Sequence, residues 1–160
     1  MARCLVLERI VSGGQTGADR AALDFALENG IPIGGWVPHG RLAEDGPIPD
    51  AYRGLRESAS ADPGVRTALN VRDSDATLIV SHGPLVGGSL LTLQEAERIG
   101  RPVLHLDLDR RSPASAGEAL RRWLAEVEPS VLNVAGPRAS EDPRIAFATR
   151  AVLRAALGGA

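Results

Sequence analysis

Short apolar runs alternate with helix-length stretches along the whole chain. The runs have the length of strands and are bounded by Gly, Pro, Asp or Ser, as strands are. They lie at 9–13, 32–37, 76–81, 102–108 and 130–136. Helices are predicted at 17–29, 63–73, 89–100, 115–127 and 143–157. This alternation predicts a parallel sheet, because each helix returns the chain to the start of the next strand.

Helices are expected to cover both faces of this sheet. The run ATLIV at 76–80 lacks the alternation of apolar and polar residues that is typical of a strand with one solvent-exposed face. A chain of 160 residues also fits one domain with its own core. The sequence therefore predicts an α/β fold, with a doubly wound, mostly parallel sheet flanked by helices, as a single domain over residues 1–160. The segment 38–62, rich in Gly, Pro and charge, is predicted to be a long irregular connection with a functional role.

The composition and net charge of the chain limit the kinds of molecule that it is expected to bind. Hydrophobic residues make up 44% of the chain and charged residues 24%, which is typical of a globular protein. The net charge of -2 predicts no binding to nucleic acid or to a membrane surface, and favours small ligands. The single cysteine, Cys4, allows neither an internal disulfide nor a cysteine zinc site. Without a signal-like start or an apolar run near ~20 residues, we expect a cytoplasmic protein.

The chain contains no lysine, since all 18 basic residues are arginine. It therefore cannot hold a phosphate-loop lysine, a Schiff-base lysine or a lysine general base. Walker-type ATPases, aldolases and pyridoxal enzymes are excluded together.

Two glycine-rich segments follow predicted strands and lead into predicted helices. They are SGGQTG at 12–17 and SHGPLVGGSLLTLQE at 81–95. Ligands of open parallel sheets bind beyond the carboxyl ends of the strands, where helix N-termini present free N–H groups. Backbone amides, together with the hydroxyls of Ser12, Thr16, Ser89 and Thr92, therefore predict a donor-rich site for an anion such as phosphate. Two simpler interpretations stay open: tight-turn roles for the glycines, and a capping box formed by Thr16 and Asp19.

A few polar residues outside these glycines are secondary candidates for ligand binding. Each of them can also be interpreted as a turn, capping or solvated surface residue. The secondary candidates are Ser12, Arg41, Asp45, Arg56, Asp75 and Ser81. The three histidines have no metal-ligand spacing, so no metal site is predicted. No nucleophile lies in a recognisable motif with a base, so no catalytic residue is predicted either.

Three stretches of the sequence resemble a known family. They are VSGGQTGADRAALDFALENGIPIGGWVPHGRLAEDGPIP at 11–49, RTALNVRDSDATLIVSHGPLVGGSLLT at 66–92 and RPVLHLDL at 101–108. They resemble the molybdenum carrier proteins, the circularly permuted YpsA branch of the SLOG superfamily. The resemblance spans about residues 10–108.

The resemblance implies a Rossmann-like fold and a homo-oligomer, often a tetramer. It also implies a phosphate-bearing ligand held by the two glycine loops. That ligand is the molybdenum cofactor, a pterin with a terminal phosphate, or a nucleotide-like molecule. The binding residues that it implies are Gly13, Gly14, Gln15, Thr16, Gly17, Gly87, Gly88, Ser89 and Thr92.

Two functions follow from this resemblance. The first is a non-catalytic carrier or sensor of the phosphate-bearing ligand. The alternative is a nucleoside-monophosphate phosphoribohydrolase that cleaves an N-glycosidic bond. Related phosphoribohydrolases carry Thr-x-x-Glu after a glycine loop, and Thr92 and Glu95 have that spacing. The chain departs from their pattern, because it lacks the glycine before the threonine and has one extra residue.

Overall fold

The structure is a computed structural model that describes residues 7–158, so Cys4 lies outside the described residues. Strands alternate with helices along this part of the chain. The strands are β1 (Arg9–Val11), β2 (Ile33–Val37), β3 (Leu42–Ala43), β4 (Gly46–Pro47), β5 (Leu55–Glu57), β6 (Ala76–Ser81), β7 (Val103–Asp107) and β8 (Val131–Ala135). The helices are α1 (Ala18–Glu28), α2 (Pro63–Arg72), α3 (Gly87–Ile99), α4 (Pro113–Val127) and α5 (Ile145–Leu157).

Six strands form one sheet in the order β5-β2-β1-β8-β6-β7. Every neighbouring pair in it is parallel, which confirms the predicted parallel sheet. The strand that comes last along the chain, β8, lies in the middle. Its Leu132 is paired with Ile10 of β1 on one side and with Ala76 of β6 on the other.

Helices cover both faces of the sheet, as predicted. On one face α5 packs against both α1 and α4, and on the other face α2 packs against α3. All six residues of β6 are buried, because this strand is covered from both sides. The fold is thus a single α/β, Rossmann-like domain over the described residues. Within residues 7–158, no helix is both long and apolar enough to cross a lipid bilayer.

Helix ends follow the predicted glycines, whereas two helix starts differ from the prediction. Gly30 and Gly100 follow α1 and α3 with φ angles of 70° and 72°, the left-handed conformation that ends many helices. The helix predicted to open at Ser89 begins at Gly87 instead. The prediction of a capping box at Thr16 was wrong: the N-cap of α1 is Gly17, which has no side chain to accept hydrogen bonds from the first N–H groups of the helix. The hydroxyl of Thr16 bonds to another segment of the chain.

The segment 38–62 is more ordered than the sequence predicts. It holds the antiparallel hairpin β3–β4 and the edge strand β5, which pairs with β2. Glu44, at the tip of the hairpin, accepts hydrogen bonds from Thr16 Oγ1 at 2.5 Å and from Ser140 Oγ at 2.5 Å. The hairpin is therefore tied to the first glycine loop and to the segment that follows β8.

Candidate functional site

A cavity opens where β1, β8 and β6 end, at the carboxyl edge of the sheet. Its volume is about 230 Å³. The strands on either side of β8 lead to helices on opposite faces, and ligands of open α/β sheets bind at such a point. The two predicted glycine loops both reach this cavity. They contribute Gln15, Asp19, Gly87, Gly88, Ser89 and Thr92 to its lining.

The N-terminus of α3 faces this cavity without a cap of its own. Asp62 and Ser112 cap α2 and α4 with their side chains, but the N-cap of α3 is Val86, which has no polar group. Nothing in residues 7–158 accepts a hydrogen bond from the first N–H groups of α3. These groups carry the positive end of the helix dipole. An anion in the cavity would supply the missing cap.

Ser89 adds an unused hydroxyl to this helix end. The residue is only 8% exposed and lines the cavity, yet its Oγ has no hydrogen-bond partner among the described residues. Thr92, one turn later, donates its hydroxyl to the carbonyl of Gly88 at 2.9 Å. Thr92 Oγ1 therefore supports the helix end, and Ser89 Oγ is left to a ligand.

Arg66 of α2 brings a cation into the same cavity, and the sequence reasoning missed it. Its side chain is 16% exposed and its Nη1 lies 3.9 Å from Asp19 Oδ2. Nη1 also donates to Thr67 Oγ1 at 3.2 Å, but the buried Nε has no partner among the described residues. A guanidinium with a donor to spare is suited to an anion.

Gly13 makes room for this guanidinium rather than for a ligand. A Cβ at Gly13 would lie 2.2 Å from Arg66 Nη1, so no larger residue fits without moving Arg66. Gly14 and Gly17 are turn residues, with φ angles of 73° and 81°. None of these three glycines lines the cavity.

The first loop holds a carboxylate of its own, which corrects the expectation of free amides there. Asp19 Oδ2 accepts a hydrogen bond from the N–H of Gln15 at 3.2 Å. Burial raises the pKa of Asp19, and this is opposed by Arg66 and by the amides of Gln15 and Gly13. The N–H of Gly14 bonds to Ser12 Oγ at 3.4 Å. The loop is thus a support for Asp19 and not an open cradle.

Gln15 is the residue of the first loop that presents a donor to the cavity. Its Oε1 accepts from the N–H groups of Thr16 at 3.0 Å and Glu44 at 2.9 Å. These two hydrogen bonds fix the orientation of the Gln15 side-chain amide. Its NH₂ group can then donate to a ligand in the cavity. Thr16 turns away, donating to Glu44 and accepting from the N–H of Ala139 at 3.1 Å. Thr16 and Gly17 line a separate groove of about 590 Å³ between α1 and α5.

Two charged candidates of the segment 38–62 have structural partners elsewhere. Arg41 donates from Nη2 to the carbonyls of Ile48 and Pro49, each at 3.4 Å. Asp45 accepts two hydrogen bonds from Arg20, at 2.5 and 2.8 Å. Both hold the hairpin in place. Neither of them lines the cavity, so the structure does not bring them together with the second glycine loop.

Three further candidates lie away from the cavity. Arg56 stacks on the ring of Trp36, 4.2 Å from its centroid. Asp75 precedes β6 at the opposite edge of the sheet, where its Oδ2 accepts from the N–H groups of Ser130 at 3.0 Å and Val131 at 2.8 Å. Ser12 is buried, and its hydroxyl donates to the carbonyl of Asp19 at 3.0 Å. These residues build the fold around the site.

Ser81 lines a second, smaller cavity of about 90 Å³ beside the first. Ser89 and Glu141 line both cavities. Ser81 Oγ donates to the carbonyl of Gly83 at 2.7 Å, so the Nε2–H of His105, also at 2.7 Å, donates to Oγ in turn. Burial lowers the pKa of His105, which keeps this ring in its neutral form.

Glu95 does not reach the cavity. It lies one turn beyond Thr92 on α3, where Arg98 donates to it from Nη2 at 2.5 Å and from Nε at 3.0 Å. The Arg98 hydrogen bonds lower the pKa of the Glu95 carboxyl, so it is a poor proton donor at neutral pH. Within residues 7–158, no group of three or more His, Cys, Asp or Glu side chains is placed to hold a metal ion.

Comparison with known proteins agrees with this architecture. The model of the circularly permutated YpsA SLOG family matches residues 10–157. A crystal structure named "Putative molybdenum carrier protein", from Syntrophus aciditrophicus SB, is 53% identical and superposes with a TM-score of 0.93. The match covers 95% of this chain and 96% of that chain. No curated protein matches the chain.

Proposed function

The chain belongs to the circularly permuted YpsA SLOG family, and from this premise we propose that it is a non-catalytic carrier of a molybdenum-related, phosphate-bearing ligand. The ligand class comes from the name of the structural relative and from the chemistry of the cavity. One observation carries the proposal: the uncapped N-terminus of α3, the free hydroxyl of Ser89 and the guanidinium of Arg66 meet in one cavity.

An anionic group is the best occupant of such a cavity. Its donors are the amides of Gly87, Gly88 and Ser89, together with Arg66, whereas Asp19 is already engaged by the first loop. Charge-assisted hydrogen bonds to a phosphate are about twice as strong as neutral ones. A helix N-terminus in addition favours negative charge by roughly 0.3–1 kcal/mol.

The size of the cavity limits how much of the ligand it holds. At about 230 Å³ it is smaller than the ~300–1,000 Å³ usual for complete ligands of drug size. It therefore takes the phosphate and the atoms next to it. The rest of the ligand, a pterin as in the molybdenum cofactor or a nucleotide-like ring, lies across the rim near Leu91.

The phosphoribohydrolase alternative is the weaker candidate. Its acid, Glu95, is paired with Arg98 and is absent from the cavity lining. A carrier needs no such group, because it binds and releases the ligand unchanged.

Calorimetric titration with molybdopterin and with AMP tests the proposed function. We expect at least one of them to bind with a dissociation constant below about 1 mM, and Ser89→Ala to weaken that binding. Ser140→Ala is the matched control, because Ser140 serves the hairpin through Glu44 and does not line the cavity. The proposal fails if neither compound binds below that level.

A further inference from the structure

The smaller cavity contains a histidine–carboxylate pair that the proposed function does not use. His82 Nδ1 lies 2.5 Å from Asp142 Oδ2, and the two side chains are 12% and 11% exposed. Burial by itself would raise the pKa of the Asp142 carboxyl, but hydrogen bonds from His82 and from the N–H of Arg144 hold it below its ordinary value. The carboxylate is therefore ionised when it faces the ring.

This pairing fixes the tautomer of the histidine. An ionised carboxylate only accepts hydrogen bonds, so Nδ1 of His82 carries the proton. In the neutral ring, Nε2 is then left with a lone pair and acts as an acceptor. Among residues 7–158, no donor bonds to Nε2.

The pair is not part of a nucleophilic triad. The neighbouring Ser81 gives its proton to the carbonyl of Gly83 and is bonded to His105 instead. His82 therefore has no serine to activate, and its free nitrogen serves binding.

The two adjoining cavities differ in the hydrogen-bonding groups that have no partner. In the larger one these groups are donors, at the N-terminus of α3 and on Arg66. The smaller one adds an acceptor, Nε2 of His82, whereas Glu141 lines both cavities and is paired with Arg138 at 3.0 Å. The hydroxyl of Ser89, which can donate and accept, lies at the junction. A ligand that matches both carries an anion with a hydrogen-bond donor a short distance away.

We propose that His82, positioned by Asp142, and Ser89 form a subsite for a hydroxyl group on the carbon skeleton next to the phosphate. This inference rests on the proposed function, since it takes the phosphate to lie in the larger cavity. The smaller cavity, at about 90 Å³, has the volume of about three water molecules at ~30 Å³ each. That suits one hydroxyl-bearing carbon. Among the phosphate-bearing ligands that the proposed function allows, the subsite therefore favours one whose carbon skeleton carries a hydroxyl group next to the phosphate.

Two small phosphate monoesters that differ only in hydroxyl groups test the subsite. Glycerol 1-phosphate and propyl phosphate have the same three-carbon skeleton. By calorimetry we expect the protein to bind glycerol 1-phosphate about tenfold more tightly. We expect His82→Phe to bring the ratio of the two affinities to about one. His82→Gln keeps part of the preference, because its amide oxygen accepts. His39→Phe, at an exposed histidine that lines neither cavity, keeps all of it.

Asp142→Ala is a second variant in case His82→Phe does not fold. It removes the carboxylate that positions the ring of His82 and holds its proton on Nδ1, so we expect the preference for a hydroxyl to fall toward one. Equal binding of the two monoesters by the unaltered protein overturns the subsite alone, as does a preference that survives in both folded variants. If neither monoester nor inorganic phosphate binds, the proposed function fails together with it.

Discussion

At the scale of single residues, Arg66 is a candidate for ligand binding that the sequence alone does not identify. Arginines are common in this chain, and the sequence gives no reason to prefer one in α2 over those in the segment 38–62. The contact that singles out Arg66 is made with a residue far away along the chain: its guanidinium packs on Gly13, and local sequence gives no sign of such a contact. Gly13 does leave room for a close approach to the backbone. What approaches the loop is a side chain of the protein.

Replacement of Arg66 is expected to weaken anion binding selectively. Arg66→Gln removes a charged donor whose hydrogen bonds to an anion are each worth about 1.5–3 kcal/mol, so AMP affinity falls about 10- to 100-fold by calorimetry. Arg41→Gln serves as the matched control, because Arg41 donates to carbonyls of the hairpin. Similar losses in both variants would show that the effect is not specific to the cavity.

Replacement of Glu95 separates the carrier from the enzyme. Glu95 is bonded to Arg98 and is remote from the cavity lining, so Glu95→Gln should change AMP affinity by less than about twofold. Chromatography after incubation with AMP should detect no free adenine from either form. Release of adenine that stops in the variant would support the phosphoribohydrolase instead.

At the scale of elements, hydrophobic periodicity predicts the repeated strand–helix units but does not predict very short strands. The strands and helices of the βα units were placed within a few residues, because apolar runs and helix-ending glycines mark them. The hairpin β3–β4 was missed, since two-residue strands have no periodicity and are held by Glu44 and Asp45 rather than by burial. The glycines of the first loop likewise gave no sign that Asp19 accepts a hydrogen bond from the backbone of that loop.

The hairpin is expected to loosen from the first loop in acid. Hydrogen bonds from Ser140 and Thr16 lower the pKa of Glu44 below its ordinary value of 4.5. Its contribution to stability is therefore present above pH 4.5 and is lost as the pH falls through the lowered pKa. We expect the unaltered protein to be more stable than Glu44→Gln to urea at pH 7, and the difference to vanish in acid. A difference that is independent of pH would contradict this role of the carboxylate.

Two glycines with positive φ test how tightly β2 approaches β1. A Cβ at Gly35, where φ is 127°, would lie 2.1 Å from the carbonyl oxygen of Ser12, whereas a Cβ at Gly30 would meet nothing within 4 Å. Gly35→Ala is expected to lower the free energy of unfolding by about 3 kcal/mol or more. Gly30→Ala costs only the left-handed backbone penalty, about 1–2 kcal/mol. Urea denaturation of both variants checks the ranking, and equal losses would refute it.

For the whole molecule, the sequence predicts the class of fold and the edge that carries the site, but not the order of the strands. Alternating elements imply parallel strands whose carboxyl ends share one edge, and both glycine loops do reach one cavity there. The central place of β8 has no local signal, because any of the apolar strands could occupy it. The segment after β8, with Arg138 and Glu141 in the lining, was therefore not foreseen as part of the site.

The resemblance also predicts assembly of several copies of the chain. We expect light scattering coupled to size-exclusion chromatography to give a mass of two or four chains at micromolar concentration. A monomeric mass at all concentrations would be evidence against that prediction.

The place of β8 has a consequence for how the protein is made. β8 joins β1, β2 and β5 on one side to β6 and β7 on the other, and its residues 131–135 are the last of the six strands to be synthesised. Before they emerge, the inner edges of β1 and β6 have no partner strand, and unpaired strand edges are prone to aggregate. The last strand to emerge is the one that closes both edges at once, so completion of the binding cavity and protection from misassembly come in the same late step.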